Sequence, residues 1–266
     1  MIVHMKKIAT LLCYLILLGC SESSSEINTE PEVFEFTATP SATTVSIDQL
    51  LTINLVAAEV ITEVWPSFDN FQTGGYALNG FGSNTNIYFA FQTPGTQTLK
   101  IRCKNAAGAL GEKSITVNVV RGNAVRLKSI ELINFTGINT DLDTEFPAGS
   151  TDAKADLRFG FQKIQIGNYR ESAFNYRQWY FSAIQLNQQS LFWNLENENL
   201  YVVPSSVLRF GAGEVDGEIG MIDFFMEAPY YGEINFSNYE TDRPEFITIT
   251  YPNQNVTIRV GVEWAN

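Results

Sequence analysis

The feature of this chain that most constrains its fold is an alternation of apolar and polar residues with a period of two. It runs through residues 51–55, 99–104, 115–119 and 256–264, where nearly every second side chain is apolar. Because successive side chains of a strand point to opposite faces of a sheet, this pattern indicates strands with one buried face and one wet face. Residues that favour turns separate the runs. The chain is therefore predicted to be all-β and built of β-sandwiches.

The amino-terminal segment has the pattern of a secretory signal. Lys6 and Lys7 precede an apolar run over residues 8–18, which is too short to span a bilayer as a helix. The run ends in Leu-Leu-Gly-Cys, and these four residues resemble the bacterial lipobox, whose cysteine receives a diacylglyceryl group and becomes the new amino terminus. The resemblance implies that residues 1–19 are removed and that Cys20 carries a lipid anchor. Such an anchor binds a membrane stably when it has two or more acyl chains.

Residues 20–32 are polar and rich in serine, and they are almost free of apolar side chains. This composition predicts a flexible tether between the anchor and the first folded domain. Its serines and acids next to the lipidated cysteine also resemble the surface-export signals of Bacteroidetes lipoproteins. The expected location is the cell outer membrane, with the protein anchored by lipid on either the periplasmic or the surface-exposed leaflet.

Composition limits the chemistry that the mature chain can perform. The only histidine is His4, which lies in the predicted signal, and of the three cysteines only Cys103 lies beyond Cys20. Histidine-dependent triads, histidine-liganded metal sites, intrachain disulfides and cysteine-rich zinc sites are therefore excluded. The protein is predicted to be non-catalytic and to need no cofactor, with calcium as the one metal considered.

The charge of the chain restricts its partners. There are 17 basic and 29 acidic residues, so the formal net charge is −12. Such a surface repels phosphate backbones and anionic lipid headgroups. Nucleic acid is therefore not an expected partner, whereas a protein or a polysaccharide is compatible with this charge.

Residues 93–108 and 113–119 resemble the last two strands of a polycystic-kidney-disease (PKD) repeat, a small immunoglobulin-like sandwich. They contain its Pro-Gly-Thr turn, an alternating strand, an Asn-x-x-Gly turn and a final alternating strand. The resemblance implies a PKD-like domain over residues 33–121, which we interpret as a spacer. An alternative is glycan contact through aromatic side chains of a Gly- and Asn-rich segment, namely Phe71, Tyr76 and Phe81.

Residues 124–266 resemble the C-two domain family, an eight-stranded sandwich known for calcium and lipid binding. The likeness lies in an opening strand at 127–133, the segment 191–194 and an acidic loop at 214–220. It implies a calcium site. Such a site needs several carboxylates close together, because this ion takes six to eight oxygen ligands. The candidate carboxylates are Asp141, Asp143, Asp152, Asp156, Asp216 and Glu218.

In the C-two family, the third loop has paired aspartates just after a strand. The comparable residues here, 208–213, contain no acid, and Arg209 would oppose a cation. Solvated acidic loops are thus the competing interpretation. The sequence predicts a non-catalytic envelope lipoprotein that binds a protein or envelope partner through its distal sandwich. The alternatives are a surface glycan-binding lipoprotein of a polysaccharide-uptake system and a calcium-stabilised adhesin.

Overall fold

The computed structural model describes residues 33–73, 77–143, 145–167, 169–170, 175–216 and 220–266. Within these ranges the fold consists of 18 strands and four short 3-10 helices, and residues 34–266 form one compact unit. The prediction of an all-β fold is confirmed. The predicted signal over residues 1–19, Cys20 and the tether up to residue 32 lie outside the described residues.

The first eight strands form two sheets that enclose one apolar core. One sheet has the order β1-β3-β6, and the other has the order β2-β8-β7-β4-β5. The strands are β1 (Phe36–Pro40), β2 (Thr44–Ser46), β3 (Leu51–Ala57), β4 (Ile61–Ser67), β5 (Leu78–Asn79), β6 (Asn84–Phe89), β7 (Gly95–Asn105) and β8 (Leu110–Val120).

The hairpin expected from the Asn-x-x-Gly motif is formed by β7 and β8, which pair antiparallel over ten residue pairs. The Asn105 side chain accepts a hydrogen bond from the Ala109 amide at 2.8 Å, and Gly108 adopts a positive φ of 89°. Glycine suits this position because a side chain strains a left-handed backbone. Cys103 faces the core, and burial raises its pKa to about 12, so the thiol stays protonated at neutral pH.

The last ten strands form a second pair of sheets around a second core. We call the sheet of order β12-β9-β18-β17, with β13 also on β9, the groove sheet. We call the sheet of order β11-β10-β14-β15, with β16 also on β14, the junction sheet. The strands are β9 (Val125–Asn134), β10 (Leu157–Ile164), β11 (Tyr176–Phe181), β12 (Phe192–Asn194), β13 (Tyr201–Val202), β14 (Leu208–Asp216), β15 (Gly220–Asp223), β16 (Gly232–Ile234), β17 (Phe246–Tyr251) and β18 (Val256–Glu263).

Aromatic side chains dominate this second core. Fully buried phenylalanines come from the junction sheet and from the segments between strands, and burial of each contributes about 1.5–3 kcal/mol. They are Phe135, Phe159, Phe161, Phe210, Phe225 and Phe236. The 3-10 helices Thr151–Ala153, Leu186–Gln188, Phe236–Tyr239 and Pro252–Gln254 lie in the connections. One face of the groove sheet covers this core, so the other face of the sheet points to solvent.

The junction sheet also contacts the first pair of sheets. Tyr169, in the connection from β10 to β11, exchanges two backbone hydrogen bonds with Tyr88 of β6, at 2.9 and 3.0 Å. Lys163 of β10 is buried and forms an ion pair with Asp48 at 2.7 Å. The same ammonium donates to the carbonyl oxygen of Tyr201 at 2.9 Å. The division into domains near residues 121–124 stays a prediction, since residues 34–266 form one compact unit.

Candidate binding groove

The alternation in β18 decides which side chains face solvent on the groove sheet. Val256, Ile258, Val260 and Val262 are buried in the core. The intervening residues, Arg259 among them, therefore lie on the outer face. There the sheet carries a groove with a volume of about 690 Å³, which crosses the strands β12, β9, β18 and β17. Its lining includes Ser129 of β9, Phe192 and Asn194 of β12, Phe246 of β17, and Arg259 and Gly261 of β18.

Gly261 forms the floor of the groove. It is paired with Ser129 on one side and with Phe246 on the other. A Cβ atom at Gly261 would lie 2.2 Å from the Ser129 Oγ and 3.3 Å from a ring carbon of Phe246. The missing side chain thus leaves room for the Ser129 hydroxyl and for the edge of the Phe246 ring, which border the floor of the groove.

Two exposed phenylalanines flank this floor on the outer strands of the sheet. Phe192 is 46% exposed and Phe246 is 56% exposed. Phe192 lies opposite Glu131, and Phe246 lies opposite Gly261. At the end of the groove, the Trp264 indole N–H donates to the carbonyl oxygen of Pro244 at 2.8 Å, which fixes that ring. The groove therefore offers two apolar rings, each about half exposed to solvent.

Ion pairs hold the long charged side chains of the groove in place. The Lys128 ammonium lies 2.5 Å from a Glu196 carboxylate oxygen, and this contact lowers the pKa of Glu196. Arg259 pairs with Glu131, and its guanidinium carbon lies 5.5 Å from the centre of the Phe246 ring. Side chains held in this way present donors and acceptors in fixed positions.

Glu263, at the end of β18, pairs with two arginines. It contacts Arg121 and lies 3.4 Å from Arg126. The hydrogen bond from Arg121, followed by the charges of both arginines, lowers the pKa of the Glu263 carboxyl. The groove is therefore lined by aromatic rings and by polar groups, several of which are held in ion pairs.

The aromatic residues predicted to contact a glycan lie elsewhere. Phe71 is half-buried, with the guanidinium carbon of Arg102 4.1 Å from its ring centre. Phe81 packs against the first core and has Arg170 at 5.2 Å. Tyr76 lies outside the described residues. Nothing in the structure tests a glycan contact at these three positions, and it stays a prediction.

Several of the predicted calcium-binding carboxylates accept hydrogen bonds from protein groups. Asp141 accepts from the Gly149 amide at 2.7 Å. Asp156 accepts from the Asn187 amide at 2.8 Å, and Asp152 accepts from the Asn187 side chain at 3.1 Å. These three carboxylates thus have protein partners, one from Gly149 and two from Asn187.

The remaining calcium candidates do not extend this set. Asp143 is buried, Asp216 ends β14, and Glu218 lies outside the described residues. Within the part of the chain that the structure describes, no three His, Cys, Asp or Glu side chains are grouped closely enough to hold a metal ion. Calcium binding stays a prediction for experiment.

Sequence reasoning did not identify the groove, although part of its signal was present. Ile247 and Ile249 alternate inward on β17, so Phe246 belongs to the outward set, and an aromatic residue at such a position stands out. In the same way, Gly261 interrupts an alternating strand, which often marks a place of close approach. The pairing that brings β12 and β17 to opposite sides of one groove has no such signal.

Comparisons with known proteins leave the family open. No family model matches the chain, and no curated protein matches it. One similar solved structure comes from a study of the promiscuous specificity of carbohydrate-binding modules of the β-sandwich superfamily. It has a TM-score of 0.28 and 10% identity, over 89% of this chain and 100% of that one. Similarity this low says nothing of function, so the function is inferred from the groove itself.

No helix within the described ranges is both long enough and apolar enough to cross a lipid bilayer.

Proposed function

We propose that this protein is a non-catalytic glycan-binding lipoprotein of the cell envelope and that the groove is its binding site. The observation that carries the proposal is the pair of exposed rings, Phe192 and Phe246, on either side of the Gly261 floor. A sugar has apolar C–H faces and a rim of hydroxyl groups. Aromatic rings stack on the former, and fixed polar side chains bind the latter.

The polar groups of the groove suit hydroxyl recognition. Arg259 offers N–H donors, while Asn194 offers both a donor and an acceptor. Because Arg259 is held by Glu131, its guanidinium binds a hydroxyl without losing much side-chain freedom. The groove lining contains no histidine or cysteine, and two of its three carboxylates, Glu196 and Glu263, are in ion pairs, which supports binding rather than hydrolysis.

Substitution of the two rings tests the proposal. In affinity electrophoresis and calorimetry with a panel of polysaccharides, Phe192→Ala and Phe246→Ala should each weaken binding about tenfold, as loss of a central aromatic contact does. Phe181→Ala is the matched control, because Phe181 is equally a phenylalanine on an outer strand, 46% exposed, but on the junction sheet. Equal losses for all three variants, or no binding by the wild type, would reject the groove as the site.

A protein partner is the second candidate. It is favoured by two exposed aliphatic residues in the connection from β11 to β12, Ile184 and Leu186, which are 43% and 56% exposed. In that case, binding of a partner from solubilised envelope should be lost in an Ile184→Ser/Leu186→Ser variant and kept in Phe192→Ala. Retention of the partner by the double variant would remove this candidate.

The lipid anchor is a separate part of the proposal, supported by the Leu-Leu-Gly-Cys sequence alone. Cells that express the chain should incorporate a palmitate analogue into it, and Cys20→Ala should abolish the label. An unlabelled wild-type chain would refute lipidation at Cys20.

A further inference from the structure

We infer that the groove takes an uncharged glycan chain of several sugar residues that lies across the strands of the groove sheet. The inference rests on the proposed function and adds the charge and the length of the ligand. Its basis is the charge balance of the groove and the separation of its two exposed rings.

The charges in and around the groove cancel. Four cations and four carboxylates line it or pair with residues that do: Lys128, Arg259, Arg121 and Arg126 against Glu131, Glu196, Glu245 and Glu263. Each cation already has a carboxylate partner. Among the described residues, Glu245 has no such cationic partner. An acidic sugar would therefore have to displace a protein carboxylate or lie near the unpaired charge of Glu245.

Both outcomes disfavour an acidic glycan. Displacing Glu131 from Arg259 would leave that carboxylate without its partner, and approach to Glu245 would bring like charges together. The net charge of −12 adds a long-range repulsion. A neutral hydroxyl group meets neither penalty, because it binds to an ion-paired side chain without separating the pair.

The positions of the two rings set the length of the ligand. Phe192 lies on β12 and Phe246 on β17, with β9 and β18 between them. Neighbouring strands are about 4.8 Å apart, so the two backbones are separated by about 14 Å across the sheet. Moreover, Phe192 is in register with Arg259 through Glu131, whereas Phe246 is in register with Gly261, two residues further along β18. A single sugar ring cannot contact both rings, whereas a chain can.

The charge of the ligand is tested with matched pairs of glycans. Neutral glucan, mannan and galactan oligosaccharides are compared with the same oligosaccharides after oxidation of C6 to a carboxylate, by calorimetry with the full-length protein. The neutral form should bind at least about tenfold more tightly. Glu245→Gln should reduce this ratio, as should added salt, because both weaken the repulsion of the carboxylate. Gln254→Glu, outside the groove, is the charge control.

The two possible failures are distinct. If the oxidised forms bind as tightly as the neutral forms or more tightly, the inference is overturned while glycan binding itself stands. If neither form of any glycan binds, the proposed function fails.

A length series tests the second half of the inference. Affinity should rise from the monosaccharide to a chain that reaches both rings, by at least about tenfold, and then level off. Phe192→Ala and Phe246→Ala should each flatten this rise, and Phe181→Ala should leave it unchanged. A monosaccharide that binds as tightly as the polymer would overturn the proposed orientation across the strands.

Discussion

The outer faces of the groove sheet and of the junction sheet are built from similar residues, but their exposed aromatic side chains have different neighbours. Phe181 on the junction sheet and Phe192 on the groove sheet are both 46% exposed. The Phe181 ring lies over Gly160, where a Cβ atom would be 2.9 Å from it, and the guanidinium of Arg158 lies 4.3 Å from the ring centre. An exposed ring therefore marks a binding surface only where its own neighbours leave its face free.

The arginines of the two faces differ in the same way. On the junction sheet, the guanidinium carbon of Arg209 lies between two aromatic rings, 3.6 Å from the centre of Tyr176 and 4.0 Å from that of Tyr231. On the groove sheet, Arg259 pairs with the Glu131 carboxylate, and its guanidinium carbon lies 5.5 Å from the centre of the Phe246 ring, farther than Arg209 lies from either tyrosine. Arginine that stacks on aromatic rings covers them, whereas arginine that pairs with carboxylates leaves rings available to a ligand.

The ion pair between Lys163 of the junction sheet and Asp48 is buried, whereas the ion pairs of the groove are partly exposed. Breaking the buried pair should therefore have the largest effect on stability. Asp48→Asn should lower the free energy of unfolding by about 3–5 kcal/mol, because it leaves the Lys163 charge buried without a partner. Asparagine tolerates the positive φ of 58° at this position, so backbone strain does not add to the result. The measurement is urea unfolding of the variant and the wild type.

A double variant controls this experiment. Asp48→Asn/Lys163→Met removes both charges and should recover most of the lost stability. A single variant that is as stable as the wild type would show that the ion pair does not hold the junction sheet to the first pair of sheets.

The same pair should show opposite pH dependences when either partner is removed. Burial raises the pKa of Asp48, against the lowering effect of Lys163, and burial lowers the pKa of Lys163. In Lys163→Met, a raised Asp48 pKa favours the folded state at acid pH, and this advantage is lost as pH rises through the folded pKa. In Asp48→Asn, a lowered Lys163 pKa favours the folded state at high pH, and this is lost as pH falls.

The stability deficit of Lys163→Met should thus grow from acid to neutral pH, and that of Asp48→Asn should shrink as pH is raised above neutral. Unfolding midpoints measured across pH check both trends. Parallel pH profiles for the two variants would contradict the assigned shifts.

Glycines on the two faces provide the next comparison. Gly261→Val should displace the Ser129 hydroxyl and the edge of the Phe246 ring, which occupy the space of the new side chain, and glycan affinity should fall by at least about tenfold. The matched variant is Gly211→Val on the junction sheet, where a Cβ atom meets nothing within 4 Å. It should keep the affinity of the wild type. Similar losses in both variants would point to a general change of fold, which the thermal midpoint reports.

The smallest effect is expected for an ion pair at the surface of the groove sheet. Glu131→Gln should change the free energy of unfolding by only about 0–1 kcal/mol, because the pair with Arg259 is partly exposed to solvent and the neutral amide still accepts a hydrogen bond. It should nevertheless weaken glycan binding, since Arg259 loses the partner that orients it. Denaturant unfolding and calorimetry on one preparation separate the two effects.

The alternation in the sequence determined much of the fold. It placed Leu99, Ile101 and Cys103 on the buried face of β7 and the four valine and isoleucine positions of β18 in the second core. These predictions hold because the direction of a side chain in a strand follows from local backbone geometry, which each short stretch of sequence specifies for itself. The hairpin at residues 105–108 was predictable for the same reason.

Only the tertiary structure decided which strands became neighbours. The candidate groove requires β12 and β17 to be separated by β9 and β18, so that Phe192, Gly261 and Phe246 line one groove. The pairing of Tyr169 with Tyr88, and that of Lys163 with Asp48, likewise joins residues far apart in the chain. Local patterns carry no information on such contacts, because they depend on how whole sheets pack, and the groove arises from that packing.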